Sequence, residues 1–437
     1  MVKILPRCLF WMTFLFGAAL SYVVFVRLWF MFFPLWYFPK PTEMNVPLPE
    51  YDMRAFGAPV RAGFAKRDIT PTGIPWLGGY MPPHPAFIVR DRLWVKSMVL
   101  EDARGSRVVL VSCDLVGMLP TDVDAIRAQI HGVPRDHIFI MATHTHSGPD
   151  TIGFWLGRRE KYMRFLRSQI VDAINASLRD LGPAAIRYGQ GDYAGHTVGS
   201  DDNPPDTEVS VIQVLRAPGD PVQLVTLVNW ACHPDIVEGF AVSADFPHFL
   251  AERLRRRIGG ETMYVQGAIG AVQPRSDNDD KDTQEYLVKT LGENLGDRVV
   301  EIMRHPLPMR DVRIDAQTTT VVAPFENKRD IAFALKYHMV ANLLDDHGDI
   351  VTQVGKITLG PLTILTAPGE VFPKIWWRLK KGRKHLLMFG LANAEFGYIL
   401  LPEDFGYDGK HGYNSSVSIG PTFGQRIYEG LKRLEGE

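Results

Sequence analysis

A chain of 437 residues with 46% hydrophobic and 22% charged residues has an ordinary globular composition, which excludes wholesale disorder. Its 48 Lys and Arg against 49 Asp and Glu give a formal net charge of -1, which argues against a dedicated nucleic-acid binder. Three scattered cysteines, Cys8, Cys113 and Cys232, are too few for a disulfide framework or a cysteine zinc cluster.

Residues 8–26 carry no charge, a run of 19 residues that is long enough for a helix to cross a bilayer core. Lys3 and Arg7 precede it, and an aromatic segment with Trp29, Trp36 and Tyr37 follows. A cleavable signal peptide would have a shorter apolar region ending at small residues. Here Gly17-Ala18-Ala19 sits in the middle of the run. The expectation is therefore an uncleaved membrane anchor over residues 1–38. It is single-pass, with the N-terminus cytoplasmic and the remainder extracytoplasmic (periplasmic, extracellular or lumenal). Residues 39–60 are proline-punctuated and read as a linker.

From residue 61 to 437 short apolar runs alternate with helical patterns. The runs at 107–114, 137–144, 208–215, 222–230, 262–267, 318–324 and 362–368 are β-branched and bounded by turn residues, as strands are. Helical spacing covers 121–131, 158–181, 246–257, 284–304, 327–344 and 421–435. This alternation predicts an α/β fold of layered mixed β-sheets flanked by helices, forming a single catalytic domain behind the anchor.

Four clusters carry chemistry. In MATHTHSGPD (141–150) a buried strand runs into His144 and His146, and the strand period of two would aim both rings to one side. In LVNWACHPDIVEGFAVSADFPHF (227–249) a second apolar strand ends at His233, and Asp245 follows at an apparent helix entry. Cys232 would face away, into the core. In LTILTAPGEVFP (362–373) Glu370 stands at the expected start of a helix, where a carboxylate favours the helix dipole. In LANAEFGYILLPEDFGYDGKHGYN (391–414) Tyr398 falls in an expected loop. Taken singly, these are ordinary structural residues. Together, two strand-end histidines, a glutamate and a phenol satisfy a catalytic zinc site, and zinc points to amide or ester hydrolysis.

These segments resemble, in order, the catalytic domain of the neutral, non-lysosomal ceramidases. GFAKRDITP with Gly78-Gly79-Tyr80, DRLWVKSMVLE, VLVSCDLVGM, ATHTHSGP, NWACHP with SADFPHFLAERL, APGEVF and GYILLPEDF each match a family segment. The resemblance implies a Zn2+ held by His144, His233, Glu370 and Tyr398, with Asp245 kept and His146 a substrate or transition-state contact. It also implies a lipid-like N-acyl substrate. Two departures stand out. At QGAIGAVQPR (266–275) the family's catalytic serine is replaced by Gln273, its aspartate by Ala271 and its asparagine by Ala268. The expectation is a catalytic domain without the family's immunoglobulin-like C-terminal domain and with the apolar N-terminal stretch in addition. The expectation is a zinc hydrolase in which Gln273 sits beside the metal pocket near His144 or His146. The alternative is an inactive ceramidase-like protein that binds lipid or scaffolds a membrane complex.

Overall fold

The computed structural model describes residues 60–155, 157–216, 222–275, 284–327, 329 and 343–436. The apolar N-terminal stretch, nearly all of the linker and most of the helix expected over 327–344 lie outside the described residues. Among the described residues no helix is long and apolar enough to cross a membrane.

In chain order the first half holds β1 (Val60–Asp68), β2 (Ile88–Val89), β3 (Trp94–Glu101), β4 (Arg107–Cys113), α1 (Pro120–Arg127), β5 (Ile138–Ala142), α2 (Glu160–Arg179) and β6 (Gly182–Asp192). There follow β7 (Thr197–Val198), β8 (Glu208–Arg216), β9 (Val222–Trp230), β10 (Ala241–Val242), α3 (Phe246–Ile258), β11 (Glu261–Gln266), β12 (Gln273–Pro274) and α4 (Gln284–Ile302). The last third holds β13 (Leu307–Pro308), β14 (Ile314–Pro324), β15 (Asp349–Leu359), β16 (Leu362–Thr366) and β17 (Glu370–Val371). It closes with α5 (Pro373–Lys380), β18 (Leu386–Phe389), β19 (Tyr398–Ile399), α6 (Gly412–Ser416) and α7 (Pro421–Leu434).

The large sheet has the order β11-β9-β8-β6-β1-β3-β4-β5, with β13 on β6. Its two parallel pairs, β4–β5 and β11–β9, are closed by the crossovers that contain α1 and α3. The small sheet runs β14-β15-β16-β18, with β16 and β18 parallel. Alternation along each strand assigns two buried faces. Met98, Leu110, Phe139, Ile212, Leu227 and Val265 of the large sheet meet Ile314, Ile357, Ile364 and Phe389 of the small one. On the large sheet's other face, Val99, Val111 and Ile140 pack on Met163, Leu166 and Ile170 of α2, and Trp230 and Tyr264 on Leu250 of α3 and Leu295 of α4. The small sheet's outer face, with Val354, Leu365 and Met388, takes Ile375 of α5 and Phe423, Ile427 and Leu431 of α7. The result is a four-layer sandwich of helices, sheet, sheet and helices, the layered mixed architecture that the alternation predicts. Cys232 lies in the core beneath α3, as expected.

β9 and β5, the last strand of the large sheet, are buried, and their C-terminal ends meet at one rim of the sandwich, where Gln266 bonds the chain just beyond each. A two-stranded pair, β17 with β19, closes the rim from the small-sheet side.

Candidate functional site

His144 is not a strand residue. β5 ends at Ala142, and His144 turns into the left-handed region at φ 71°, a conformation that costs a non-glycine residue of the order of 1–3 kcal/mol. The two histidines of the HTH segment thus converge through a turn and not through strand period, with ring centroids 5.0 Å apart. The turn is fixed by its surroundings. The His144 N–H donates to Leu115 O, the Thr145 hydroxyl to Ser243 O, and the Ser147 hydroxyl to Val237 O. Tyr80 stands edge-on to His146 at 5.4 Å and donates to the Val237 carbonyl.

His233 follows β9 and is fully buried. Its ring lies 5.0 Å from that of His144 and 5.8 Å from that of His146. One atom of each of the three rings falls within 4.8 Å of the others, so this trio, with His144 and His233 buried and His146 half-buried, is compatible with a metal ion.

Each ligand candidate is held in a defined tautomer. The Nδ1 of His144 lies 2.7 Å from Val116 O, and the Nδ1 of His233 lies 2.8 Å from Val272 O. A carbonyl only accepts, so both Nδ1 atoms carry a proton and Nε2 is the nitrogen that each ring turns towards the cluster. Both Nε2 atoms face Glu370, at 3.5 Å from Oε1 for His144 and 2.9 Å from Oε2 for His233.

Glu370 is not at the start of a helix. It lies in β17, and α5 begins at Pro373 after Phe372, because proline lacks an N–H and its fixed φ suits the first helical position. Tyr398 is likewise in a strand. In the parallel β17–β19 ladder Glu370 and Tyr398 are directly paired, and the Tyr398 phenol helps to hold the Glu370 carboxyl low. The ladder therefore delivers carboxylate and phenol to one point.

The electrostatics follow from burial. Burial pushes His144 down to about 3 despite the Glu370 charge, and it pushes His146 down to about 3 with help from His233. For His233 the burial penalty is outweighed by the hydrogen bond and charge of Glu370, which raise it to about 9. Glu370 would be raised by burial, but His144, His233 and Tyr398 hold it below the ordinary glutamate range.

Asp245 takes the expected position at the entry to α3. Its carboxylate accepts from the Phe246 and Val237 N–H groups, at 2.7 Å each, and so ties down the loop that follows His233. Burial raises its carboxyl to about 7. Gln273 lies in β12, paired with β7, and its amide nitrogen donates to Asp235 Oδ2 at 2.7 Å. Asp235 in turn acts electrostatically on His233 and Glu370.

Three contributors escape sequence reasoning. Gln266 is fully buried, and its amide nitrogen donates to the carbonyls of Thr143 and Cys232, at 2.8 Å each. It thus clamps the residues that precede His144 and His233. Asn393 bonds both ways with Ile140, docking the 391–394 loop onto β5 and bringing Tyr398 towards the histidines. Glu395 lines the cavity in front of Glu370 and Tyr398, whose walls are otherwise largely apolar and aromatic. Their only sequence signal is a lone polar residue flanked by apolar or small residues.

No family model matches the chain. Over 155 residues, 32% of this chain and 23% of the relative, it is 30% identical to the neutral ceramidase of Pseudomonas aeruginosa. The match therefore spans less than a quarter of that relative. Among solved structures, the neutral ceramidase of Pseudomonas aeruginosa superposes with a TM-score of 0.72 at 19% identity, covering 87% of this chain and 75% of that one. A ceramidase complexed with C2 gives 0.70 at 18% identity, over 87% and 76%. The layered α/β architecture is that of a neutral ceramidase. The chain thus shares the fold of the neutral ceramidase structures over most of its length.

Proposed function

We propose that the chain is a membrane-anchored, zinc-dependent hydrolase that cleaves the amide bond of a lipid-like N-acyl substrate. The observation that carries this reading is the pair of locked tautomers. Two buried histidines spend their Nδ1 protons on backbone carbonyls and present Nε2 to a common carboxylate. Such an arrangement has no evident packing purpose, and a hydrogen bond at the other ring nitrogen is the usual support of a metal-bound imidazole.

His144, His233, Glu370 and Tyr398 would hold the ion, and a set of two imidazoles and two oxygens suits zinc. When bound, zinc supplies Lewis-acid polarisation of a carbonyl and a water of lowered pKa. The neutral His146 lines the cavity beside the cluster, where a ring N–H orients the scissile carbonyl. Gln273 has donors and an acceptor but no nucleophilic oxygen, so hydrolysis proceeds without a covalent acyl intermediate. Through Asp235 it helps set the field at His233, and Asp245 fixes the loop between them. The apolar cavity receives a hydrocarbon chain, and residues 8–26 hold the domain at the membrane where such substrates reside.

The test is turnover of a fluorogenic N-acyl sphingosine by the full-length chain in detergent micelles. Cleavage should disappear on chelation and return with zinc. The replacements at Ala268, Ala271 and Gln273 favour a second reading, a lipid-binding scaffold. Metal-loaded protein that cleaves nothing in a broad panel of amides and esters would establish it.

A further inference from the structure

A cleft of about 180 Å³ is lined by one side of α3, by strands β1, β3 and the end of β4, and by the start of β11; it shares no lining residue with the apolar cavity. Ala244, Ala251 and Gly260 are small enough to leave its space open. Four lysine and arginine residues line it, and three of them have a carboxylate partner. Lys66 pairs with Glu261 at 2.5 Å, Arg255 with Glu252 at 2.8 Å, and Arg92 with Asp68.

The fourth is Lys96. It is 8% exposed, and it has no hydrogen-bond or ion-pair partner within reach of its ammonium group among the described residues. In the antiparallel β1–β3 ladder it stands directly opposite Lys66, so the two lysines share one face of the sheet. Like charges placed in this way are destabilising, and a lysine is seldom buried without a counter-charge. Asp114 lines the same cleft but does not fill the need by contact. Its Oδ2 accepts from the Trp94 N–H at 2.9 Å, and burial pushes its carboxyl up against the pull of Lys96. Thr262 is 3% exposed, and its hydroxyl too has no hydrogen-bond partner among the described residues.

A buried cation and a buried hydroxyl thus face one space that has room for several heavy atoms. The group that completes both is an acceptor with two oxygens and a single negative charge, because an ammonium only donates and a hydroxyl donates as readily as it accepts. A carboxylate has that form. A doubly charged anion does not suit the cleft, since the other three cations are engaged and its second charge would face Glu252, Glu261 and Asp114.

We propose that this cleft is a binding site for a small organic monocarboxylate, whose oxygens take the Lys96 ammonium and the Thr262 hydroxyl. The site is independent of the reaction at the histidine cluster.

The probe is lactate, titrated calorimetrically into the full-length chain in detergent micelles, with lactamide as its neutral isostere and inorganic phosphate as the anion of higher charge. Lactate should bind at one site per chain and at least ~10-fold tighter than lactamide or phosphate, as one hydrogen-bonded charge implies. Lys96→Met, which keeps the hydrocarbon stem, should weaken lactate at least ~10-fold, and Thr262→Val at least ~3-fold. A second readout needs no ligand. In carboxylate-free buffer Lys96→Met should raise the urea midpoint of unfolding, because it removes an unpaired buried charge from beside Lys66. A lowered midpoint, or a Lys96→Met chain that does not fold, would mean that Asp114 already completes Lys96 and would overturn the proposal. So would absent lactate binding, equal binding of lactamide or phosphate, or unchanged affinity in Thr262→Val. Lactate binding that survives Lys96→Met, as it would at a metal held by the histidine cluster, would overturn it as well.

Discussion

Two neighbouring regions of the site have diverged in opposite ways. The cluster of His144, His233, Glu370 and Tyr398 keeps every donor that the family pattern asks for, and its side chains converge. The segment 266–275 runs past the same cluster and carries Gln273, Ala271 and Ala268 where the pattern it resembles has serine, aspartate and asparagine. Yet that segment still does much of the positioning. Val272 O receives both the backbone N–H and the Nδ1 proton of His233, Gly270 bonds Val371 next to Glu370, and Gln266 clamps the carbonyls before both histidines. Of these groups all but Gln266 are backbone, and Gln266 is the one side chain of the motif retained at its start. The difference teaches that a scaffolding role carried by main-chain groups persists when side chains change, whereas a nucleophile does not.

The comparison can be broken or sharpened by substitution. The largest effect belongs to the cluster. Glu370→Ala should lower amide turnover by more than ~10³-fold, exceeding what loss of a single preorganised donor usually costs, because it removes a proposed metal ligand and leaves His233 without its partner. Steady-state kinetics on a purified, folded variant checks this. Next comes the clamp. Gln266→Leu should cost about 2–3 kcal/mol of stability by leaving the Thr143 and Cys232 carbonyls unsatisfied. It should also weaken metal binding by ~10–100-fold, read by chemical denaturation and by competition with a chelator. Unchanged metal affinity would mean that Gln266 supports the fold but not the site.

The replaced side chains should matter less. Gln273→Ala removes the bond to Asp235 and should lower kcat/KM by less than ~10-fold, in line with a net hydrogen bond of ~0.5–1.5 kcal/mol. A fall of ~10²–10³ would instead mean that the amide supports the developing oxyanion. Ala271 holds φ at 61°, where its Cβ is unfavourable. Ala271→Gly should therefore raise stability by roughly 0.5–1 kcal/mol, seen as a higher denaturation midpoint with activity kept.

Much of this arrangement is legible in the sequence because it rests on side-chain identity and period. The apolar runs of β4, β5, β8 and β9 and the helical spacing of α2 and α7 predict the layers, and the order of the four polar clusters predicts the convergence. What the sequence hides is set by tertiary contact. β6 is absent from the expected strands because Gly182, Pro183, Gly189 and Gly191 punctuate it, yet from Ala184 to Asp192 it pairs with β8, and Gly189 and Gly191 lie close under Ile302. His144 converges with His146 through a left-handed turn fixed by Leu115 and Val116, residues distant in sequence. Glu370 and Tyr398 read as a helix start and a loop because a ladder of two residues per strand has no periodicity to detect. Glu395 leaves no motif, and Gln266 opens the 266–275 segment without showing there that it clamps Thr143 and Cys232. Each owes its role to what surrounds it in space.

The most direct test of the central claim, that the ligand cluster and the main chain of 266–275 define the site independently of the replaced side chains, is metal stoichiometry by elemental analysis. Three full-length proteins are compared: the wild type, the double variant Ala271→Asp with Gln273→Ser, and Glu370→Ala. The expected result is close to one zinc per chain in the first two and a large loss in the third. Zinc retained in full by Glu370→Ala, or lost on changing positions 271 and 273, would contradict it.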